Sequence, residues 1–158
     1  MRTLLGACLA LFMGSSVAAT EKGVVGPVER LYVVEAGLTM AARIDTGASK
    51  TSIHAEQMEV VGGELADWDA NIGKALRFVT RNGAGKPAKI EATIAEVTHI
   101  RNSQGSEDRY VVWLTIGPKG NEKRVLVTLK DRAPMSYKLL IGRNWLAGDY
   151  LVDVDLTQ

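Results

Sequence analysis

The chain has 158 residues, with 19 Lys and Arg against 18 Asp and Glu, a formal net charge of +1, 46% hydrophobic residues and one cysteine. That length suits one domain, and the near-balanced charge gives no reason to expect nucleic acid or an anionic membrane as a partner. With Cys8 the only thiol, an internal disulfide framework is excluded, and removal of Cys8 with an export leader would also leave no thiolate metal ligand.

The first residues resemble an export leader. Arg2 gives a short positive start, Leu4 to Met13 an apolar run, and Val17-Ala18-Ala19 a small-x-small cleavage site. The run is short of the ~20 apolar residues that span a bilayer. Cleavage after Ala19 leaves residues 20–158 as a mature domain without Cys8, in a periplasmic or secreted location and with no membrane attachment. A retained anchor, or lipidation at Cys8, is the alternative.

Beyond the leader, short apolar runs alternate with Gly, Asn and Asp, a pattern of strands and turns. Val24 to Ala36 offers two strand pieces around Gly26-Pro27. Leu38 to Ile44 makes a strand that runs into Asp45. Ala55 to Val60 is a candidate short helix. Asp67-Trp68-Asp69 fits a cation or sugar contact, or a solvated loop with one anchoring aromatic. Leu76 to Thr80 and Lys89 to Ile94 flank Asn82-Gly83-Ala84-Gly85, whose Asn-Gly step favours a hairpin. Tyr110 to Ile116 and Arg124 to Leu129 flank a second turn at Gly117 to Gly120. Tyr137 to Ile141 is an apolar strand broken by Gly142, Asn144 to Ala147 a second candidate helix, and Leu151 to Val154 a closing strand. The expected fold is mainly β, a closed barrel with one or two short helices.

Two segments carry chemistry. Asp45-Thr46-Gly47-Ala48 follows an apolar strand, and Ile141-Gly142-Arg143-Asn144 follows another near the C-terminus. Asp-Thr-Gly alone also fits an ordinary turn in which the Asp side chain bonds its own backbone. Together and in this order, the two segments resemble retropepsins. The likeness is closer still to a bacterial retropepsin-like aspartic protease family often labelled ATP-dependent zinc proteases. It extends through Ser49-Lys50-Thr51-Ser52-Ile53-His54-Ala55, Leu76-Arg77-Phe78, and from Val127 through Asp131-Arg132 and Met135 to Val154.

That resemblance implies an aspartic endopeptidase acting on a peptide or protein substrate, with no cofactor and no metal. Peptide hydrolysis by carboxylates needs one ionised group to activate water and one protonated group to polarise the carbonyl. Each chain has one Asp-Thr-Gly, so a homodimer must bring two copies of Asp45 together on its axis. Thr46 and Gly47 complete the catalytic loop, with Thr46 bracing the pair. Ala48, Ile141 and Gly142 are assigned to the substrate, together with Gly83 and Gly85 if that hairpin is the flap; an exposed structural hairpin is the alternative there. Arg143 and Asn144 support the loop. The shared proton predicts activity at acidic to mildly acidic pH.

Two features differ from the viral enzymes: Ser49 stands where they carry an acid that pairs with the Arg of Gly-Arg-Asn, and the interval from Asp45 to Gly142 is longer. Asp149, Asp153 and Asp155 are the candidate partners for Arg143. A non-catalytic peptide-binding module that keeps the protease fold is the rival reading. Zinc catalysis has only His54 and His99 to draw on and no His-Glu-x-x-His helix.

Overall fold

A computed structural model describes residues 21–102 and 105–156. Cys8 and the segment expected to be an export leader cleaved after Ala19 lie outside the described residues.

Eleven strands are described: β1 (Gly23–Val25), β2 (Val28–Val33), β3 (Leu38–Ile44), β4 (Thr51–His54), β5 (Glu56–Val60), β6 (Ala75–Arg81), β7 (Pro87–Asn102), β8 (Gly105–Gly117), β9 (Lys123–Lys130), β10 (Leu139–Ile141) and β11 (Tyr150–Val152). A single-turn helix, α1 (Arg143–Leu146), and a 3-10 turn at Asp69–Asn71 complete the elements. Nine strands form one sheet in the order β2-β3-β10-β4-β9-β8-β7-β6-β5, and a β2–β8 pairing closes β2 through β8 into a ring. The remaining pair, β1 and β11, runs parallel.

Alternation explains the ring. Along β3, Leu38, Met40, Ala42 and Ile44 point into the core while Thr39 and Arg43 face out. Leu31, Val33, Ile53, Leu114, Ile116, Val127, Leu139 and Ile141 meet them there, all at 2% exposure or less. The three-residue β10 is inserted between β3, which it parallels, and β4, which it opposes. This insertion brings the Gly142 end of the chain beside the Asp45 end of β3.

One expected element is different. Residues 56–60 form a strand, and the helix expected over Ala55 to Val60 is absent. The burial of Glu56–Val60 has period two, Val60 enters the core, and Gln57 sits at φ +53° beside a bulge, which no helix accommodates. The expected helix at Asn144 is present as α1.

Candidate active site

The Asp45 loop is built from its backbone outward. Ile44 N donates to the Pro27 carbonyl and Asp45 N to the Ile141 carbonyl, both at 2.9 Å. The chain then turns so that Asp45 Oδ1 accepts from Gly47 N at 2.9 Å and Ala48 N at 3.2 Å. A Cβ on Gly47 would lie 3.1 Å from that oxygen, so glycine allows the close approach. Asp45 therefore makes the side-chain turn that the sequence allowed. The turn fixes one carboxylate oxygen and leaves Oδ2 without a hydrogen-bond partner among the described residues. Thr46 and Gly47 are exposed.

The second motif holds this loop from below. Arg143 Nη1 donates to the carbonyls of Thr46 and Gly47, each at 2.9 Å. The backbone N–H groups of Arg143 and Asn144 reach the carbonyls of Ala48 and Ser49 at 2.8 and 3.2 Å. Arg143 thus uses two loop carbonyls where the acidic partner is missing. Asp149, offered by sequence as a partner, pairs with Lys123 instead. Asn144 Oδ1 accepts both Thr51 N and Thr51 Oγ1, at 2.8 and 2.9 Å, and its Nδ2 donates to the Leu126 carbonyl. Gly142 N donates to Thr51 Oγ1 at 3.2 Å. A Cβ on Gly142 would stand 2.5 Å from the Lys50 carbonyl carbon, so this crossing admits glycine alone. Trp145 anchors α1: it is fully buried, donates Nε1–H to the Ile116 carbonyl at 2.9 Å and stacks on Tyr150 at 4.3 Å.

A cleft of about 390 Å³ opens beside the loop, lined by Ala48, Ser49, Lys50 and Ser52, by Thr98, Ile100 and Arg109 of the β7–β8 hairpin, and by Thr128, Lys130, Arg132 and Leu140. No acidic residue lines it. Lys50 pairs with Glu96, while Arg109 and Lys130 share Glu107. The Arg109 pairing holds the Glu107 carboxyl below its ordinary range against the opposing effect of partial burial.

Arg132 is buried and donates Nε–H to the Tyr137 carbonyl. Burial pulls its guanidinium below its usual value, the charge of Arg109 acts the same way, and the charge of Asp45 opposes both. His54 fixes Arg132: its buried ring accepts the Arg132 N–H at Nδ1, 3.0 Å away, while Nε2 lies 3.4 Å from Glu56 Oε2. Among the described residues no group of three or more His, Cys, Asp or Glu side chains is placed to hold a metal.

The predicted residues are therefore distributed over three places. Ala48 lines the cleft. Ile141 and Gly142 are buried under the loop, where the Ile141 carbonyl receives the Asp45 N–H and the Gly142 N–H bonds Thr51 at the head of β4, and Leu140 occupies the cleft wall beside them. Gly83 and Gly85 sit at the exposed β6–β7 turn, a hairpin as expected, but neither is among the cleft-lining residues. Thr51, Arg109 and Arg132 take no site role from the sequence, although Thr51 and Arg132 lie within the stretches that carry the resemblance. Thr51, a polar residue at the start of a fully buried strand, was the most visible of the three.

Residues 24–158 match the model of the RimB-like family, described as retropepsin-like aspartic endopeptidase RimB. The chain belongs to this family. Curated relatives are longer proteins. The probable alpha-L-glutamate ligase of Shewanella pealeana is 33% identical over 113 residues, 71% of this chain and 24% of that protein. The protein of the same name from Parasynechococcus marenigrum is 29% identical over 136 residues, 85% of this chain and 28% of that protein. The chain spans about a quarter of the length of these relatives. The crystal structure of Lpg0085 from Legionella pneumophila, a protein of unknown function, superposes with a TM-score of 0.67 at 26% identity, covering 87% of this chain and 97% of that one. The RimB-like match begins at Val24 in β1 and so takes in both the Asp45 loop and its Gly142-Arg143-Asn144 support.

Proposed function

We propose that this chain is a homodimeric aspartic endopeptidase, exported under residues 1–19, that cuts peptides carrying acidic side chains. The observation that carries the reading is the Asp45 carboxylate, fixed through one oxygen and braced by Arg143 beside a basic cleft. In a dimer, one Asp45 takes a proton from water as it attacks the scissile carbonyl. The protonated Asp45 of the second copy donates to the carbonyl oxygen, and a proton then passes to the departing amine. Thr46, Gly47 and Ala48 present the substrate side of the loop.

The substrate class follows from charge. Lys50, Arg109, Lys130 and Arg132 line the cleft; the first three pair with Glu96 or Glu107, whereas the charge of Asp45 acts on Arg132 without a direct ion pair. A carboxylate from an extended peptide supplies the missing counter-charge with charge-assisted hydrogen bonds. The naming of the longer relatives as glutamate ligases makes glutamate-rich peptides the first substrates to try.

The test is cleavage of a mixed peptide library across pH by the chain, Asp45→Asn and Arg132→Gln, with EDTA and a transition-state-mimicking aspartic protease inhibitor in parallel. Loss of cleavage in Asp45→Asn by roughly 10²–10⁴-fold, inhibitor sensitivity and indifference to EDTA support the reading. Arg132→Gln should selectively weaken cleavage beside acidic residues. Cleavage that survives Asp45→Asn overturns the reading. Acidic-peptide binding without cleavage, from a folded dimer, favours the binding-module reading.

A further inference from the structure

The interval that makes this chain longer than viral retropepsins includes residues 61–74, and their position follows from strand alternation. In the β7–β8 hairpin the directly opposed pairs are Val97 with Tyr110, Thr98 with Arg109, His99 with Asp108 and Ile100 with Glu107. Successive pairs point to opposite faces. Thr98, Ile100 and Arg109 line the cleft, so Tyr110, His99 and Asp108 lie on the back of the same hairpin.

That back face is where residues 61–74 attach. Trp68 packs on the Tyr110 ring at 4.5 Å. Tyr110 Oη–H donates to the Leu65 carbonyl at 2.6 Å and accepts from Asn71 Nδ2 at 2.8 Å, and the same Nδ2 donates to the Glu64 carbonyl at 2.7 Å. Tyr110 and Asn71 are fully buried in this network. Farther out, His99 is flanked by Asp108 Oδ1, 2.7 Å from Nδ1, and by Asp69 Oδ1, 3.7 Å from Nε2. On the cleft side, Glu96 pairs with Lys50 and Glu107 with Lys130, and a register shift between Ile94 and Glu96 marks where the hairpin departs from the straight ladder.

We propose that residues 61–74 are a back brace for the β7–β8 arm, and that Trp68, Asn71 and Asp69 are positioning residues that set how Ile100 and Arg109 meet substrate. The proposal rests on the cleft being the peptide site. Residues 61–74 support the arm from outside and leave the cleft face free, and the β7–β8 hairpin, not the β6–β7 turn, covers the substrate. The outer part of the brace follows pH. The hydrogen bond to Asp108 raises the His99 pKa, burial opposes, and the charges of Asp108 and Asp69 add to the rise. A raised folded-state value means that the ion pairs are fully present below the ordinary imidazole range and are lost as pH climbs through the raised value. Acidic conditions therefore keep the outer part of the brace attached.

The test uses full-length chains carrying Asp45→Asn, so that neither readout depends on cleavage. Trp68→Ala and the exposed, conservative Asp69→Asn are compared with the Asp45→Asn parent by amide hydrogen exchange and by affinity for a fluorescent hexaglutamate peptide. Trp68→Ala should speed exchange over residues 96–102 and 105–109 by about tenfold, the effect of losing one aromatic pair, and weaken the peptide similarly while residues 38–54 keep their protection. Asp69→Asn should flatten the pH dependence of exchange in the arm, after correction for intrinsic rates. Unchanged arm exchange, or faster exchange with unaltered peptide affinity, overturns the brace. A parent that binds the peptide and loses affinity with Trp68→Ala supports the brace even if the native chain cuts nothing.

Discussion

Thr51→Val isolates the joint between the two motifs. The replacement keeps the shape and removes a hydroxyl that donates to Asn144 Oδ1 at 2.9 Å and accepts from Gly142 N at 3.2 Å, at a site of 0% exposure. Asn144 Oδ1 keeps its bond from Thr51 N, so that acceptor stays satisfied. The Gly142 N–H does not, and a stranded buried donor costs roughly 1–3 kcal/mol. The added methyl recovers little, because it meets polar backbone around Gly142. We therefore expect a loss of about 2 kcal/mol, read as a lower urea midpoint with an unchanged slope. If Asp45 is catalytic, turnover should fall as well, since the same bond fixes the segment whose Ile141 carbonyl receives the Asp45 N–H. A change below about 0.5 kcal/mol would refute the claim that this hydroxyl ties Gly142 and Asn144 to the head of β4, because surface-like substitutions already fall in that range.

Other consequences follow from the same geometry. Gly142→Ala places a Cβ 2.5 Å from the Lys50 carbonyl carbon and should destabilise by about 1–3 kcal/mol or more, measurable as a fall in Tm. Glu107→Gln removes a carboxylate held below its ordinary range by Arg109. A depressed carboxylate contributes above its unfolded value and loses that contribution as pH falls through its folded one. The variant should thus be slightly weaker at neutral pH, by about 0–1 kcal/mol for this partly exposed pair, and equal to the parent in strong acid; urea titrations at pH 7 and pH 3 would check both.

The ring of strands was legible because its signals are local. Leu38 to Ile44 alternates cleanly, and a Gly- and Asn-rich turn over residues 82–86, closed by the Asn82 side chain with Gly85 at φ +79°, separates two apolar runs. The Asp45 and Gly142 segments were legible because turn chemistry dictates their residue types. What sequence could not reveal were partnerships across long separations. Arg143 had acidic neighbours in sequence, yet it bonds carbonyls 96 and 97 positions away. Gly83 and Gly85 drew the flap assignment because glycine-rich turns stand out. The hairpin that lines the cleft extends β7 and β8 through charged residues such as Glu96, Glu107 and Arg109, whose pattern looks like loop. The short helix expected at Ala55 gave way to strand pairing with β6, a tertiary decision.

The most direct test of the central claim, that Asp45 is half of a site completed by a second chain, is subunit mixing. The native chain at fixed concentration is combined with increasing Asp45→Asn chain, and glutamate-rich peptide cleavage is followed after exchange. Random pairing predicts that a tenfold excess of the variant leaves about a tenth of the activity, because native chains then sit in inactive mixed dimers. Activity that stays constant under that excess, with mixed dimers demonstrated, would contradict the account.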